Sequence, residues 1–303
     1  MNAHISNTPV FILAGGLGTR LSEETGTKPK PMVEVGEIPI LIHIMRSYYR
    51  HGFNDFVICA GYRSWEIKKF FLNYEFRMNH LGIDHRTDLT QSPTALGRSS
   101  AQEKWRVRVV DTGVDCMTGG RLARAFDAIA RDQAFTDFAL TYGDGLSDVD
   151  LAKEFDFHHT HQKMGTVLGV NMQARFGILD VVDDMQVAGF LEKPDDRQDV
   201  ISGGFFFFKR DFRRFLSNDI ECVLERQPLE MLAAHGELMS FRHTGFWHPM
   251  DTLRDKTYLE KLWASGSAPW LISSTESTLT SPHYSRGASR LPDVPIENRR
   301  ELI

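Results

Sequence analysis

From Val10 onward, short apolar runs alternate with amphipathic stretches: VFILA, then PILIHIMRSYYRHGF, then DFVICAGY, then SWEIKKFFLNYEF. The short runs read as buried strands. The longer stretches, apolar at every third or fourth position, read as helices. RVRVVDTG (106–113) and FALTYGDG (138–145) continue the strand series, with the helical pattern RLARAFDAIARD between them and VDLAKEFDFHHTH after them. This rhythm predicts parallel strands joined by crossover helices, hence an α/β sheet of Rossmann-like type flanked by helices on both faces. After Gly165 the pattern shortens to TVLGV, GILDVV, QVAGFLEK and GGFFFFK, and helices return at PLEMLAAHGE and DTLRDKTYLEKLWASG. That change predicts antiparallel strands added to a mixed, mostly parallel sheet. The FFFF run at 205–208 reads as a buried strand.

One domain is expected over residues 10–270, with a first half to about 150 and a second half from 151. Residues 1–9 read as a flexible lead-in. The tail 271–303, with scattered apolar residues and many turn formers, reads as peripheral. Residues 85–104 are polar and rich in Ser and Thr, the composition of a long loop or a pair of ragged strands.

With 42% hydrophobic and 25% charged residues in 303 positions, the chain can bury a core without staples. A net charge of -5 without a long Lys or Arg run argues against nucleic acid as a partner, though not against a single nucleotide. Cys59, Cys116 and Cys222 are odd in number and lack CxxC spacing, which argues against a disulfide framework or a zinc ribbon and for a reducing cytoplasm. No stretch reads as a signal peptide or a membrane span.

The first strand runs into AGGLGTRL, residues 14–21. Gly15, Gly16 and Gly18 let backbone amides approach phosphate oxygens, and Arg20 adds a forked cation. The motif fits neither GxGxxG nor GxxxxGK[ST]. KPKPM follows at 28–32. Its prolines are expected to hold the segment extended, with Lys28 and Lys30 on one side. Asp144 follows the strand FALTY, at the carboxyl end where such sheets hold ligands. Asp251 reads as the N-cap of the helix that follows. His158, His159 and His161 invite a metal reading, but no third ligand joins the one face shared by His158 and His161, and a packing or surface role is preferred.

AGGLGTRLSEET followed by KPKPM resembles the sugar nucleotidyltransferases. The resemblance continues through DTG (111–113), MTGGRL (117–122), TYGDG (141–145), RFG (175–177), EKP (192–194), GGFF (203–206) and GFWHPMDTLRDK (245–256). MTGGRL and the last motif are similar to the cytidylyl branch. The resemblance implies transfer of CMP from CTP to a sugar 1-phosphate, with glucose 1-phosphate the first choice, and release of pyrophosphate. It also implies Mg2+ held by Asp144 and Asp251, charge stabilisation by Arg20 and Lys30, and a homo-oligomer. Nucleotide contacts are implied for Leu13, Gly15, Gly16, Gly18, Thr19, Cys116, Gly120, Arg121 and Gly143, with base choice assigned to the segment DTGVDCMTGGRL. Sugar-phosphate contacts are implied for Arg175, Lys193 and Ser202.

The chain departs from that family on the sugar side. Ser202 stands where NGGFF is usual, Asn171, Met172, Gln173 and Ala174 precede RFG where proline pairs are frequent, and Gln227 replaces a glutamate. A different sugar, cyclitol or polyol phosphate is therefore an alternative acceptor. A nucleotide-binding regulator without catalysis is a third reading, opposed by retention of Arg20, Lys30, Asp144 and Asp251.

Overall fold

The computed structural model describes residues 3–78, 80–82, 94–96, 103–171, 178–182, 186–191 and 200–271. Seven strands form the main sheet: β1 (Val10–Ala14), β2 (Asp55–Ala60), β3 (Arg106–Asp111), β4 (Asp137–Tyr142), β5 (Gly165–Asn171), β6 (Val200–Lys209) and β7 (Leu238–His243). Their order is β7-β5-β6-β4-β1-β2-β3. β1 runs parallel to β2 and β4, β2 to β3, and β5 to β7. In this sheet only β6 opposes its neighbours, pairing antiparallel with β4 and β5.

The sheet is mixed and mostly parallel, as the sequence implies, but the second half is less antiparallel than its short runs suggest. β5 follows β4 through the helix Leu151–His161, a crossover, and so runs the same way. β6 then fills the place between them. The remaining antiparallel additions are two-stranded ribbons, such as Ile178–Val182 with Gln186–Leu191 and Gly145–Ser147 with Trp247–Pro249.

Alternate side chains of each strand enter two cores. Val10, Ile12, Phe56, Ile58, Phe205 and Phe207 face one side, and Phe11, Leu13, Val57, Cys59, Phe206 and Phe208 the other. The FFFF run thus contributes two rings to each face, because strand side chains alternate. The first face is covered by α1 (Ile40–Arg50), whose Ile40, Leu41, Ile44, Met45 and Tyr48 recur at helical spacing. α2 (Ser64–Leu72) joins the same side through Ile67 and Phe70. The second face is covered by α3 (Thr118–Ala130) through Leu122, Ala125, Phe126 and Ile129. The expected single helix SWEIKKFFLNYEF breaks at Asn73, whose side-chain amide donates to the Lys69 carbonyl at 2.7 Å and competes with the helical ladder. Among the described residues no helix is long and apolar enough to cross a membrane.

The crossover α4 (Leu151–His161) carries the histidine cluster. His158 and His161 both bond the Thr166 hydroxyl on β5, at 2.8 and 2.7 Å, while His158 and His159 face the Asp137 carboxylate at 3.6 and 3.2 Å. Their role here is packing and bracing.

α4 also carries Glu154 into the core. It is fully buried, and neither carboxylate oxygen has a hydrogen-bond partner among the described residues. Burial pushes its pKa from 4.5 up to about 8, since an unpartnered charge is costly in apolar surroundings. The native state therefore keeps a proton that the unfolded chain releases above pH 4.5. Its contribution to stability is fullest below that pH and declines until the native group also ionises near pH 8, a loss of about 3 kcal/mol by pH 7. Glu154→Gln, which cannot ionise, should raise Tm more at pH 8 than at pH 5. Thermal melts at the two pH values check this, and equal shifts at both would refute it.

Candidate active site

β1 lies where the chain's direction of travel reverses: β2 follows it on one side and β4 returns on the other. In a parallel sheet this opens a crevice at the carboxyl ends of the strands. The loops there are stitched together by backbone bonds. Gly143 N–H donates to the Leu13 carbonyl at 3.0 Å, Tyr62 N–H to Gly15 at 3.1 Å and Thr112 N–H to Ala60 at 2.8 Å.

The glycines of the first loop have different duties. Gly18 adopts φ 65°, the left-handed region that favours glycine, and leads into the 3-10 turn Thr19–Leu21. Gly15 is buried against Arg121: a Cβ placed there would sit 2.0 Å from the guanidinium. Gly16 has nothing within 4 Å of that position, so its backbone faces open space. Thr19 and Arg20 are exposed on the turn.

Arg121 enters the crevice floor from the first turn of α3. Its guanidinium donates to the Thr112 hydroxyl at 3.0 Å and to the carbonyls of Gly113 and Val114 at 2.6 and 2.7 Å. These contacts brace the DTG turn. Gly120 N–H donates to the Cys222 carbonyl at 3.0 Å, and Met117 N–H to Ile220 at 2.8 Å, so the MTGG segment is packed under residues 219–224. The Cys116 thiol is buried at the same junction, and that burial raises its pKa.

Two carboxylates meet at the crevice mouth because the ribbon Gly145–Ser147 with Trp247–Pro249 aligns Pro249 with Gly145. Met250 N–H then donates to the Asp144 carbonyl at 2.8 Å, bringing Asp251 beside Asp144. Lys30 Nζ donates to Asp144 Oδ2 and Asp251 Oδ1, each at 2.6 Å, and Arg20 lies 3.6 Å from Asp251 Oδ2. Burial alone lowers the Lys30 pKa, but Asp144 and then Asp251 outweigh it and hold the ammonium above its ordinary value.

The structure departs from two sequence expectations. Asp251 is not the cap of α5 (Leu253–Ala264): Thr252 is, in a reciprocal capping box with Asp255, which leaves the Asp251 carboxylate to the site. A hydroxyl three residues before an acid competes better for the free amides than the preceding aspartate. KPKPM is not extended throughout. Pro29 is extended, but residues 30–32 form a 3-10 turn that aims Lys30 at the carboxylates, whereas Lys28 pairs with Glu24 at 3.5 Å.

The pair Asp144 and Asp251 suits a magnesium-like ion, which takes one or two carboxylates and completes its shell with water and phosphate oxygens. Both carboxylates are partly exposed and meet at the Lys30 ammonium, each through one oxygen. Among the described residues no larger group of potential metal ligands gathers anywhere.

Of the residues expected to meet the sugar phosphate, Ser202 is exposed and its hydroxyl accepts from Gly204 N–H at 3.3 Å, while the neighbouring Gly203 carbonyl accepts from the Trp247 indole at 2.7 Å. Arg175 and Lys193 lie outside the described residues. Sequence reasoning missed Glu225, which receives the Tyr142 hydroxyl and, at 2.6 Å, the Thr118 hydroxyl. It also missed Glu24, bonded by Lys256 at 2.5 Å, and the dipeptide Tyr62-Arg63. The position of Tyr62 just past a strand's carboxyl end was the available signal.

The family model for nucleotidyl transferases matches residues 10–240. The chain belongs to the nucleotidyl transferase family. It is 48% identical over 262 residues to glucose-1-phosphate cytidylyltransferase of Salmonella typhi, covering 86% of this chain and 97% of that one. The fold is shared with a solved UDP-glucose pyrophosphorylase in complex with UDP-glucose, at TM-score 0.60 and 14% identity over 86% of this chain and 99% of that one. HddC from Yersinia pseudotuberculosis gives TM-score 0.57 and 20% identity over 84% and 99%. In this nucleotidyl transferase the Gly-rich loop, Lys30 and the two acids lie on one edge of the sheet.

The unequal surroundings of the paired glycines are testable. Gly15→Ala should drive the Arg121 guanidinium from its seat and lower stability by about 1–3 kcal/mol. Gly16→Ala should leave stability unchanged and act only on nucleotide binding. Calorimetry of both variants decides, and equal melting temperatures would contradict the Arg121 packing.

Proposed function

We propose that this chain transfers CMP from CTP to α-D-glucose 1-phosphate, giving CDP-glucose and pyrophosphate. The observation that carries the reading is the convergence of Lys30, Arg20, Asp144 and Asp251 beside the Gly-rich loop, in a chain 48% identical to a glucose-1-phosphate cytidylyltransferase. A phosphate oxygen of the sugar phosphate forms a bond to the α-phosphorus of CTP, and the bond from that phosphorus to the bridging oxygen of pyrophosphate breaks. The nucleophile is already ionised at neutral pH, so the protein needs no general base. Its task is alignment and stabilisation of charge on the phosphoryl and leaving oxygens.

The amides of the loop from Gly15 to Thr19 would receive the triphosphate, and Arg20, exposed and only loosely held by Asp251, can turn to the leaving oxygens. Lys30 is less free. Held by two acids, it supplies a positioned charge next to the α-phosphoryl group. Asp144 and Asp251 would hold Mg2+, which supplies neutralisation of phosphate charge when bound. Arg121 keeps the DTG turn in the shape that presents backbone groups to the base.

A second reading keeps CTP and changes the acceptor. The exposed Ser202, with its short side chain turned onto Gly204 N–H, supports it by leaving room where a longer amide is usual in the family.

Both readings are tested by incubating the protein with Mg2+, glucose 1-phosphate and each of CTP, UTP, dTTP, ATP and GTP, following pyrophosphate release and product mass. CDP-glucose with CTP alone is the expected result. Asp144→Asn should lower turnover at least about 10²-fold, the scale of losing a positioned electrostatic group. Product only with another phosphorylated acceptor transfers the conclusion to the second reading, and none with any acceptor defeats both.

A further inference from the structure

The loop between β1 and the short helix Ser22–Thr25 is exposed along Gly16, Leu17, Thr19 and Arg20, yet both its ends are fixed from one place. At its start, Tyr62 N–H donates to the Gly15 carbonyl at 3.1 Å. At its end, the Tyr62 hydroxyl donates to the Thr25 carbonyl at 3.2 Å and the Arg63 guanidinium to the Gly26 carbonyl at 2.6 Å. The two side chains also support each other: Arg63 Nε donates to the Tyr62 hydroxyl oxygen at 2.9 Å, and the guanidinium lies 5.4 Å from the centre of the Tyr62 ring.

Arg63 adopts φ 50° and ψ 39°, the left-handed region that a long side chain rarely occupies. Such a conformation persists where surrounding contacts over-determine it, and it gathers at sites that must be held in one shape. Among the described residues no carboxylate pairs with this arginine. Its donors go to a peptide carbonyl and a phenol oxygen, so its contacts act on the position of the loop backbone.

We infer that Tyr62 and Arg63 form a clasp that holds the Gly-rich loop in the shape that receives the nucleoside triphosphate. They are positioning residues, and the inference rests on the nucleotidyl-transfer reading. The opposite flank of the loop has a separate anchor, the Lys256–Glu24 pair at 2.5 Å, so loss of the clasp loosens the loop without detaching it. Because the loop's proposed part is to receive the triphosphate, the clasp should govern CTP and leave the sugar phosphate alone. That separation distinguishes it from a general contribution to folding.

The test compares Arg63→Ala, Arg63→Lys and Tyr62→Phe with the unaltered enzyme. Arg63→Ala should raise KM for CTP about tenfold, the scale of one lost charge-assisted hydrogen bond, with KM for the sugar phosphate unchanged. Arg63→Lys, which can reach the Gly26 carbonyl but cannot bridge to Tyr62, should recover part of the loss. Tyr62→Phe should fall between. Amide hydrogen exchange over residues 16–24 without nucleotide should be faster in Arg63→Ala and slowed again by CTP. An equal rise in both KM values with a lower Tm, or unchanged loop exchange, would overturn the clasp. Failure of the functional reading would show separately, as absence of turnover by the unaltered enzyme, and the exchange measurement would still judge the clasp.

Discussion

One ammonium group between two carboxylates joins segments that the chain keeps far apart: Lys30 meets Asp144 across 114 residues and Asp251 across 221. Two acids brought that close repel each other unless a cation lies between them. The ribbon that aligns Pro249 with Gly145 forces them together, and Lys30 makes the arrangement tolerable. On the same convergence rests the proposed handling of an anionic substrate. Fold and chemistry are thus constrained by one electrostatic requirement at the carboxyl edge of the sheet.

The other requirement is that the loops at this edge keep their shape although much of their surface faces water. Strand ends alone do not achieve this. Three arginines spend their donors on peptide carbonyls of the site loops: Arg121 on Gly113 and Val114, Arg124 on Thr112 and Asn218, and Arg63 on Gly26. A guanidinium suits the task because its planar fork reaches two or three acceptors in fixed directions. Among the described residues none of the three forms an ion pair with a carboxylate.

The parallel half of the fold was legible because each strand is a short apolar run and each crossover helix repeats at three and four residues. Val10–Ala14 and Ile40–Arg50 show both periods plainly. The direction of β5 was not legible from its own residues, since a run such as TVLGV carries no direction and the crossover before it decides. The candidate-site residues followed the same division. Arg20, Lys30, Asp144 and Asp251 were visible because motifs or strand ends framed them, whereas the cap of α5 was misassigned by one residue. Asp251 and Thr252 are both good caps, and the choice depends on the return bond from Asp255.

Arg63 and Glu24 show why the remainder was hidden. Each lies in an ordinary polar stretch, and each acquires meaning only from a partner brought by the fold: the Gly26 carbonyl for Arg63, and Lys256 for Glu24. Bonds to backbone carbonyls leave little trace in residue type, because every residue supplies the acceptor. Bonds between opposite charges do leave a trace, yet a trace too common to single out a pair 232 positions apart. A sequence therefore displays the groups that touch substrate more readily than those that hold them in place. In this molecule three of the holding groups are arginines that bond the carbonyls of the site loops.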